Sequence, residues 1–226
     1  MRDCLSVSAI VLLAAFAGCQ QQSWESAMAA GQLAMQRGRY AEAEALFALA
    51  VKKAENEFGL RHRHVGVALS QEAQALAAQG KYVEAEPVYL QALTIFQDAH
   101  GETHADVAAT LNNLGVLHRM HGQYAQAEQL LNRAVAIKER LYGPDHPDVA
   151  LTLHNLGLVF VSQGRPERAE PLYRRALAIR EQALGPVHSD VGKSLEDLAG
   201  VLRKLHRDEE AVGLEARASD IRAKRS

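Results

Sequence analysis

The sequence predicts an all-α solenoid of about five helix-turn-helix repeats, and three sets of columns predict it. His62, His104, His146 and His188 are spaced 42 residues apart, and Val65, Val107, Val149 and Val191 follow them by three. Two glycine columns keep the same step: Gly38, Gly80, Gly122 and Gly164, then Gly59, Gly101, Gly143 and Gly185. Two alanine columns run through five units each: Ala43, Ala85, Ala127, Ala169 and Ala211, then Ala50, Ala92, Ala134, Ala176 and Ala218. A period of about 20–50 residues marks an array in which each unit packs only on its neighbours.

The first element stands outside the array. Arg2 supplies a positive charge, Leu5 to Gly18 form an apolar run, and small residues precede Cys19. That order is the pattern of a secretory signal. The run falls short of the roughly 20 apolar residues of a membrane-spanning helix. Phe16-Ala17-Gly18-Cys19 resembles a bacterial lipobox, with Phe16 where that motif has Leu. The resemblance implies that residues 1–18 are removed and that Cys19 is lipidated, with residues 19–23 as a tether. The only other cysteine, Cys4, lies in the removed segment, so no disulfide is expected. Diacylation provides the two chains that stable attachment needs. Gln20 after Cys19 implies a cell-envelope protein on the periplasmic face of the outer membrane, where the host has one.

The array is expected over 24–226, in units of about 24–59, 62–101, 104–143, 146–185 and 188–224. The first helix of the fourth unit places Leu153, Leu156 and Phe160 on one face, and Leu111, Leu114 and Leu195, Leu198, Leu202 repeat it. A small residue sits among them, Ala73, Gly115, Gly157 or Ala199, and lets the partner helix come close. Gly164 and its equivalents end the first helix, because glycine accepts a positive φ just past the last turn. Pro166 suits the first turn of the next helix. The second helix carries Ala169, Leu172, Tyr173, Ala176 and Leu177 on its apolar face, and Gly185 closes it. Asp106, Asp148 and Asp190 recur at the positive ends of the first helices and read as cap chemistry.

In order, Leu-x-x-Leu-Gly/Ala-x-x-aromatic, a glycine, then Ala-x-x-x-Tyr-x-x-Ala resembles the tetratricopeptide repeat (TPR). The 42-residue form, with His-Pro-Asp-Val at 146–149 and Ala-Glu-Pro-Leu-Tyr at 169–173, resembles its kinesin light chain-like subclass. The resemblance spans about 24–224 and implies a right-handed superhelical array. It departs at the ends, where Trp24, Ala27, Ala30 and Ala34 replace larger residues and Asp208 and Glu215 stand in place of Tyr and Leu. Glu72 breaks the Leu column in the second unit.

Composition excludes several function classes. A formal charge of −2 with 5% aromatic residues gives no basic stripe interleaved with aromatics, so no nucleic-acid partner is expected. Nucleophile-elbow, phosphate-loop and dinucleotide motifs are missing, so the chain reads as non-enzymatic, without cofactors. The ten histidines suggest no metal site, since those of the periodic column sit on units about 10 Å apart. Glu44, Glu86, Glu128 and Glu170 recur and read as a solvent or inter-repeat face.

In tetratricopeptide arrays the first helices line the inner surface, which implies a groove faced by Gln71, Gln74, Asn112, Asn113, Arg119, His154, Asn155, Lys193, Asp197 and Arg203. Amide side chains both donate to and accept from an extended backbone. The expected function is a membrane-anchored scaffold binding a protein or peptide in that groove. The alternative is a structural or self-associating subunit of an envelope assembly. Leu151 and Asp197 occupy places where a two-carboxylate clamp needs Lys and Arg, so binding of chaperone tails is not expected.

Overall fold

A computed structural model describes residues 23–224; the predicted signal segment, Cys19 and most of the tether lie outside the described residues. Ten helices occupy them, with no strand among the described residues: α1 (Trp24–Gln36), α2 (Tyr40–Phe58), α3 (Arg63–Ala78), α4 (Tyr82–His100), α5 (Ala105–Met120), α6 (Tyr124–Tyr142), α7 (Pro147–Ser162), α8 (Pro166–Leu184), α9 (Ser189–Lys204) and α10 (Asp208–Ala223). Each helix packs on the one before and the one after. The odd-numbered helices also touch each other across units, α3 with α5 and α5 with α7, and the even-numbered helices make no comparable contact. The array therefore curves with its odd helices inside. No helix among the described residues is long and apolar enough to cross a membrane.

The histidine column is the N-cap of the inner helices. Nδ1 of His62, His104, His146 and His188 accepts the backbone N–H two residues on, at 3.3, 3.2, 3.1 and 3.2 Å. This corrects the expectation that Asp106, Asp148 and Asp190 do the capping. Their backbone N–H groups are the donors, and their carboxylates do not cap but add charge in the first turn. A second column supports the caps from the preceding helix: Phe58 stacks on His62 at 4.8 Å, His100 on His104 at 4.1 Å, and Tyr142 on His146 at 4.6 Å.

Glycines punctuate both ends of each hairpin. Gly164 takes φ 71° after α7, and Gly185 takes φ 82° with ψ 157° after α8. The second conformation is nearly exclusive to glycine. The fifth hairpin has His206 in the Gly164 place, at φ 58°.

Within a hairpin, the small residue of the inner helix makes room for a large one of the outer helix. A Cβ added at Gly157 would stand 2.5 Å from the Tyr173 ring, and one at Gly115 would stand 2.5 Å from Leu131 Cγ. Gly31 repeats this against Phe47 in the first unit, again at 2.5 Å. In the fifth hairpin Ala199 meets no ring, because Glu215 replaces it and pairs with Arg203 at 2.7 Å.

Between hairpins the glutamate column forms bridges, so of its two expected faces the inter-repeat one holds. Glu44 accepts from Lys81 at 2.8 Å, Glu128 from Arg168 at 3.0 Å and Glu170 from Arg207 at 2.7 Å; Glu86 faces the buried His118 at 3.7 Å. These pairs are half-exposed and screened by water, so each adds little to stability. Deeper down, the Lys138 ammonium donates to Thr152 Oγ1 at 2.9 Å and to the Asp148 carbonyl at 3.2 Å. Burial pushes this lysine below its ordinary value. Arg180 repeats the contact on Ser194 one unit later.

Two outcomes test this packing. Gly157→Leu should destabilise the array by about 1–3 kcal/mol through overpacking, with hydrogen-exchange protection lost first in α7 and α8. An unchanged exchange pattern would contradict the close approach. His206→Gly removes a left-handed conformation that disfavours a side chain, and should raise the urea midpoint by the equivalent of about 0.5–1 kcal/mol.

Candidate functional site: the inner groove

The inner face holds a groove of about 490 Å³ built chiefly by α3, α5 and α7, with Met35 and Tyr40 closing its first-unit side. Its polar side is a short amide ladder. Asn155 Nδ2 donates to Asn112 Oδ1 at 2.9 Å, and Asn112 Nδ2 donates to Asn113 Oδ1 at 3.3 Å. Gln74 is exposed beside them. The rest of the lining is apolar: Met35, Ala77, Val116, Met120 and Leu151, with the Tyr89 ring below. Met120 and Leu151 are each 46% exposed, an unusual setting for large apolar side chains that face one cavity.

Beyond Asn155 the groove becomes charged. His154 Nδ1 lies 3.7 Å from Asp197 Oδ2, and its ring lies 5.3 Å from that of Tyr173. Burial holds the His154 imidazole below its ordinary value; the Asp197 charge opposes this, and Arg180 and Arg119 reinforce it. Burial pushes the Asp197 carboxyl upward, against the opposing pull of His154 and Arg180. Burial also lowers the Arg180 guanidinium, and it raises the Tyr173 hydroxyl. Arg119 acts on both His154 and Tyr173, yet it forms no ion pair among the described residues, and its Nε is buried without a hydrogen-bond partner.

The structure sorts the residues expected to face the groove. Gln74, Asn112, Asn113 and Asn155 line one cavity, and Arg119, His154 and Asp197 form the charged continuation. Gln71 is half-buried one turn before Gln74 and is not among the cavity's walls. Lys193 lines a separate depression at the far end of the array, with Gly192, Ala218 and Ile221. Arg203 is held by Glu215 and Asp208 of its own hairpin, at 2.7 and 3.2 Å. Sequence reasoning missed the apolar walls. The available signal was Leu151, which stands in the Lys193 column and was read only as a missing cation. Arg180 was missed because it comes from an outer helix.

One cluster has metal-ligand chemistry: His100, His104 and Asp106 bring ligand atoms within 4.8 Å of one another. The repeat accounts for each of them. His100 occupies the stacking column, His104 Nδ1 holds the N–H of Asp106, and the Asp106 carboxylate accepts from Arg63 at 2.6 and 3.2 Å. A metal ion would have to displace the cap and compete with the guanidinium.

The His154 pair sets a pH dependence. A histidine whose folded value is lowered binds fewer protons than in the unfolded chain, so stability rises with pH across that window. The wild-type chain should therefore lose stability between about pH 6.5 and the lowered value. His154→Gln should lack that component, so the difference between the two melting temperatures should shrink on acidification from pH 7.5 to 5.5. A difference independent of pH would contradict the buried, neutral imidazole.

The arrangement matches known proteins in both sequence and fold. A tetratricopeptide repeat profile matches residues 24–98, 64–140, 122–182 and 163–224. No curated protein matches the chain. Among solved structures, BtubC (BKLC) from P. vanneervenii is 26% identical, with a TM-score of 0.78 over 88% of this chain and 80% of that one. The nearly identical TPR-like repeats of a Podosopora anserina chain described as a kinesin light chain are 23% identical, with a TM-score of 0.74 over 89% and 96%. A Rap protein complexed with Competence and Sporulation Factor shares the fold at 15% identity, with a TM-score of 0.74 over 88% of this chain and 54% of that one. The four profile matches leave no helix of the array outside them, and the chain belongs to the tetratricopeptide repeat family.

Proposed function

We propose that the protein is a non-catalytic docking scaffold, lipid-anchored through Cys19 on the bacterial cell envelope, that holds an extended peptide segment of a partner protein along its inner groove. One observation carries the reading: a single groove combines exposed Met120 and Leu151 with a ladder of asparagines, and Arg119, the neighbour of Met120 on α5, forms no ion pair among the described residues. The apolar walls suit one or two apolar side chains of the peptide. The asparagines can donate to and accept from its main chain. Arg119 suits a carboxylate further along, where a charge-assisted hydrogen bond is strongest because the site is half-buried. A second Rap structure of similar fold, a conjugation gene regulator, was solved in complex with the Phr* peptide, which supports this use of a tetratricopeptide scaffold. The 42-residue period and the two kinesin light chain-type structures support placing the chain in that branch of the family. The lipobox-like segment and the tether support the envelope location.

Selection of ten-residue peptides on the purified full chain tests the reading. The recovered peptides should pair an apolar residue with an acidic one. Asn113→Ala with Asn155→Ala should weaken them by about 3- to 5-fold, because a peptide bonding to this ladder exchanges existing hydrogen bonds for a net gain of at most about 1 kcal/mol. Arg119→Gln should remove the preference for the acidic residue. Peptides that bind the double variant as tightly as the wild type would refute the groove.

A further inference from the structure

The first inter-unit turn is welded to the start of α1. Trp24 stacks on His64 at 4.3 Å and meets Phe58 edge-on at 6.1 Å, and Phe58 stacks in turn on His62 at 4.8 Å. This aromatic cluster fixes the turn at 59–62 beside Ser23, where the described residues begin. Leu60 projects from that turn and is 68% exposed, and Arg61 beside it is 86% exposed at its side chain. The same position in later turns holds Glu102, Pro144 and Pro186, so the repeat does not require an exposed leucine there. Lys52 and Lys53 flank Trp24 across a neighbouring depression.

We infer that this end of the array, with Leu60, Trp24 and the basic side chains around them, is a foot that rests in the headgroup region of the bilayer. The inference depends on the proposed acylation of Cys19, which brings the chain to a membrane. Four residue steps separate Cys19 from Ser23, a reach of at most about 14 Å when fully extended. A chain acylated at Cys19 therefore cannot hold the Trp24 end far from the lipid surface. The inner-helix starts and outer-helix ends share that edge of the array. The opposite edge, where Val83 lies in the first turn of α4, is about 25 Å away along the helix. The exposed Leu60 side chain favours the interface, where it leaves water while the flanking cations stay among headgroups, and the Trp24 ring, packed on His64 and Phe58, holds the turn that presents it. With this foot planted, the array stands away from the membrane and its groove remains open to a soluble partner.

The test uses the full chain, made in a bacterial host and kept in its own membrane. A photoreactive benzoylphenylalanine replaces either Leu60 or Val83, which is 72% exposed and serves as the matched control. Both positions face solvent, so neither substitution disturbs the core. Mass spectrometry reads the acyl group on Cys19 and the lipid adducts at each probe. Lipid adducts should form at position 60 and not at position 83. A twelve-residue Gly/Ser spacer between Gln22 and Ser23 lengthens the tether about four-fold and should lower the yield at position 60 on the order of eight-fold, following the −3/2 power of length. An acylated chain with equal adducts at 60 and 83, or with yield at 60 unchanged by the spacer, overturns the foot and leaves the anchor standing. A chain without the acyl group overturns the anchor and the foot together.

Discussion

The first, third and fourth hairpins each depend on an absent side chain. Tyr173 and Leu131 reach into space that a Cβ at Gly157 or Gly115 would fill, and Phe47 does the same over Gly31. Helix pairs pack at about 8–10 Å, and the short end of that range is reached only when one surface is bare at the crossing. The close approach then buries Leu111, Leu114, Leu153 and Leu156 almost completely. It also fixes the angle at which each hairpin presents its inner helix. Since neighbouring inner helices pack backbone to backbone while outer ones meet only through long charged side chains, that angle repeated across units produces the trough. The groove is thus a consequence of small residues far from its surface.

Stacking hairpins adds a different chemistry. The cores within hairpins are apolar, and the junctions between them carry the charge. Lys138 is 6% exposed, yet its ammonium is held by Thr152 and a carbonyl of the next unit. Removing either partner would leave a buried charge uncompensated, whereas replacing the whole contact with apolar groups need not destabilise. The contact therefore serves register more than stability. Phe96 occupies the Lys138 column one unit earlier and achieves the same junction by packing, with Gly66 cleared beneath it. Two solutions at one position show that geometry, not a particular bond, is what the junction requires.

What was legible in the sequence follows from this division. Columns that fix backbone conformation read directly: Gly59, Gly101, Gly143 and Gly185 recur because few other residues take their φ and ψ. Columns whose residue plays a role through its neighbour did not. The histidines were visible as a period, but their capping by Nδ1 was not, because histidine is an unusual cap and Asp two residues on offered a more familiar explanation. The groove was legible on its amide side, where Asn113 and Asn155 share a column. Its apolar walls were not, because a leucine in a helical pattern is normally buried, and only the curvature of the array leaves Leu151 exposed. Lys193 and Arg203 were misplaced for a related reason. They share columns or helix faces with groove residues, but they belong to the fifth hairpin, and no inner helix follows it among the described residues to close the trough around them.

The groove's own bonds determine how it can recognise a ligand. Asn112 and Asn155 already satisfy each other across α5 and α7. A peptide that bonds to them exchanges one hydrogen bond for another, and the net gain is at most about 1 kcal/mol. The apolar walls face no such exchange. Burying one leucine-sized side chain against Leu151, Met120 and Val116 contributes about 1.5–3 kcal/mol. Arg119 differs again, since it forms no ion pair among the described residues, and a carboxylate meeting its guanidinium would add a bond instead of trading one. Affinity in such a groove comes from the apolar contact and the arginine, and the asparagine ladder sets the register between them. The distance from Leu151 to Arg119 along the trough is then the quantity that selects one partner over another.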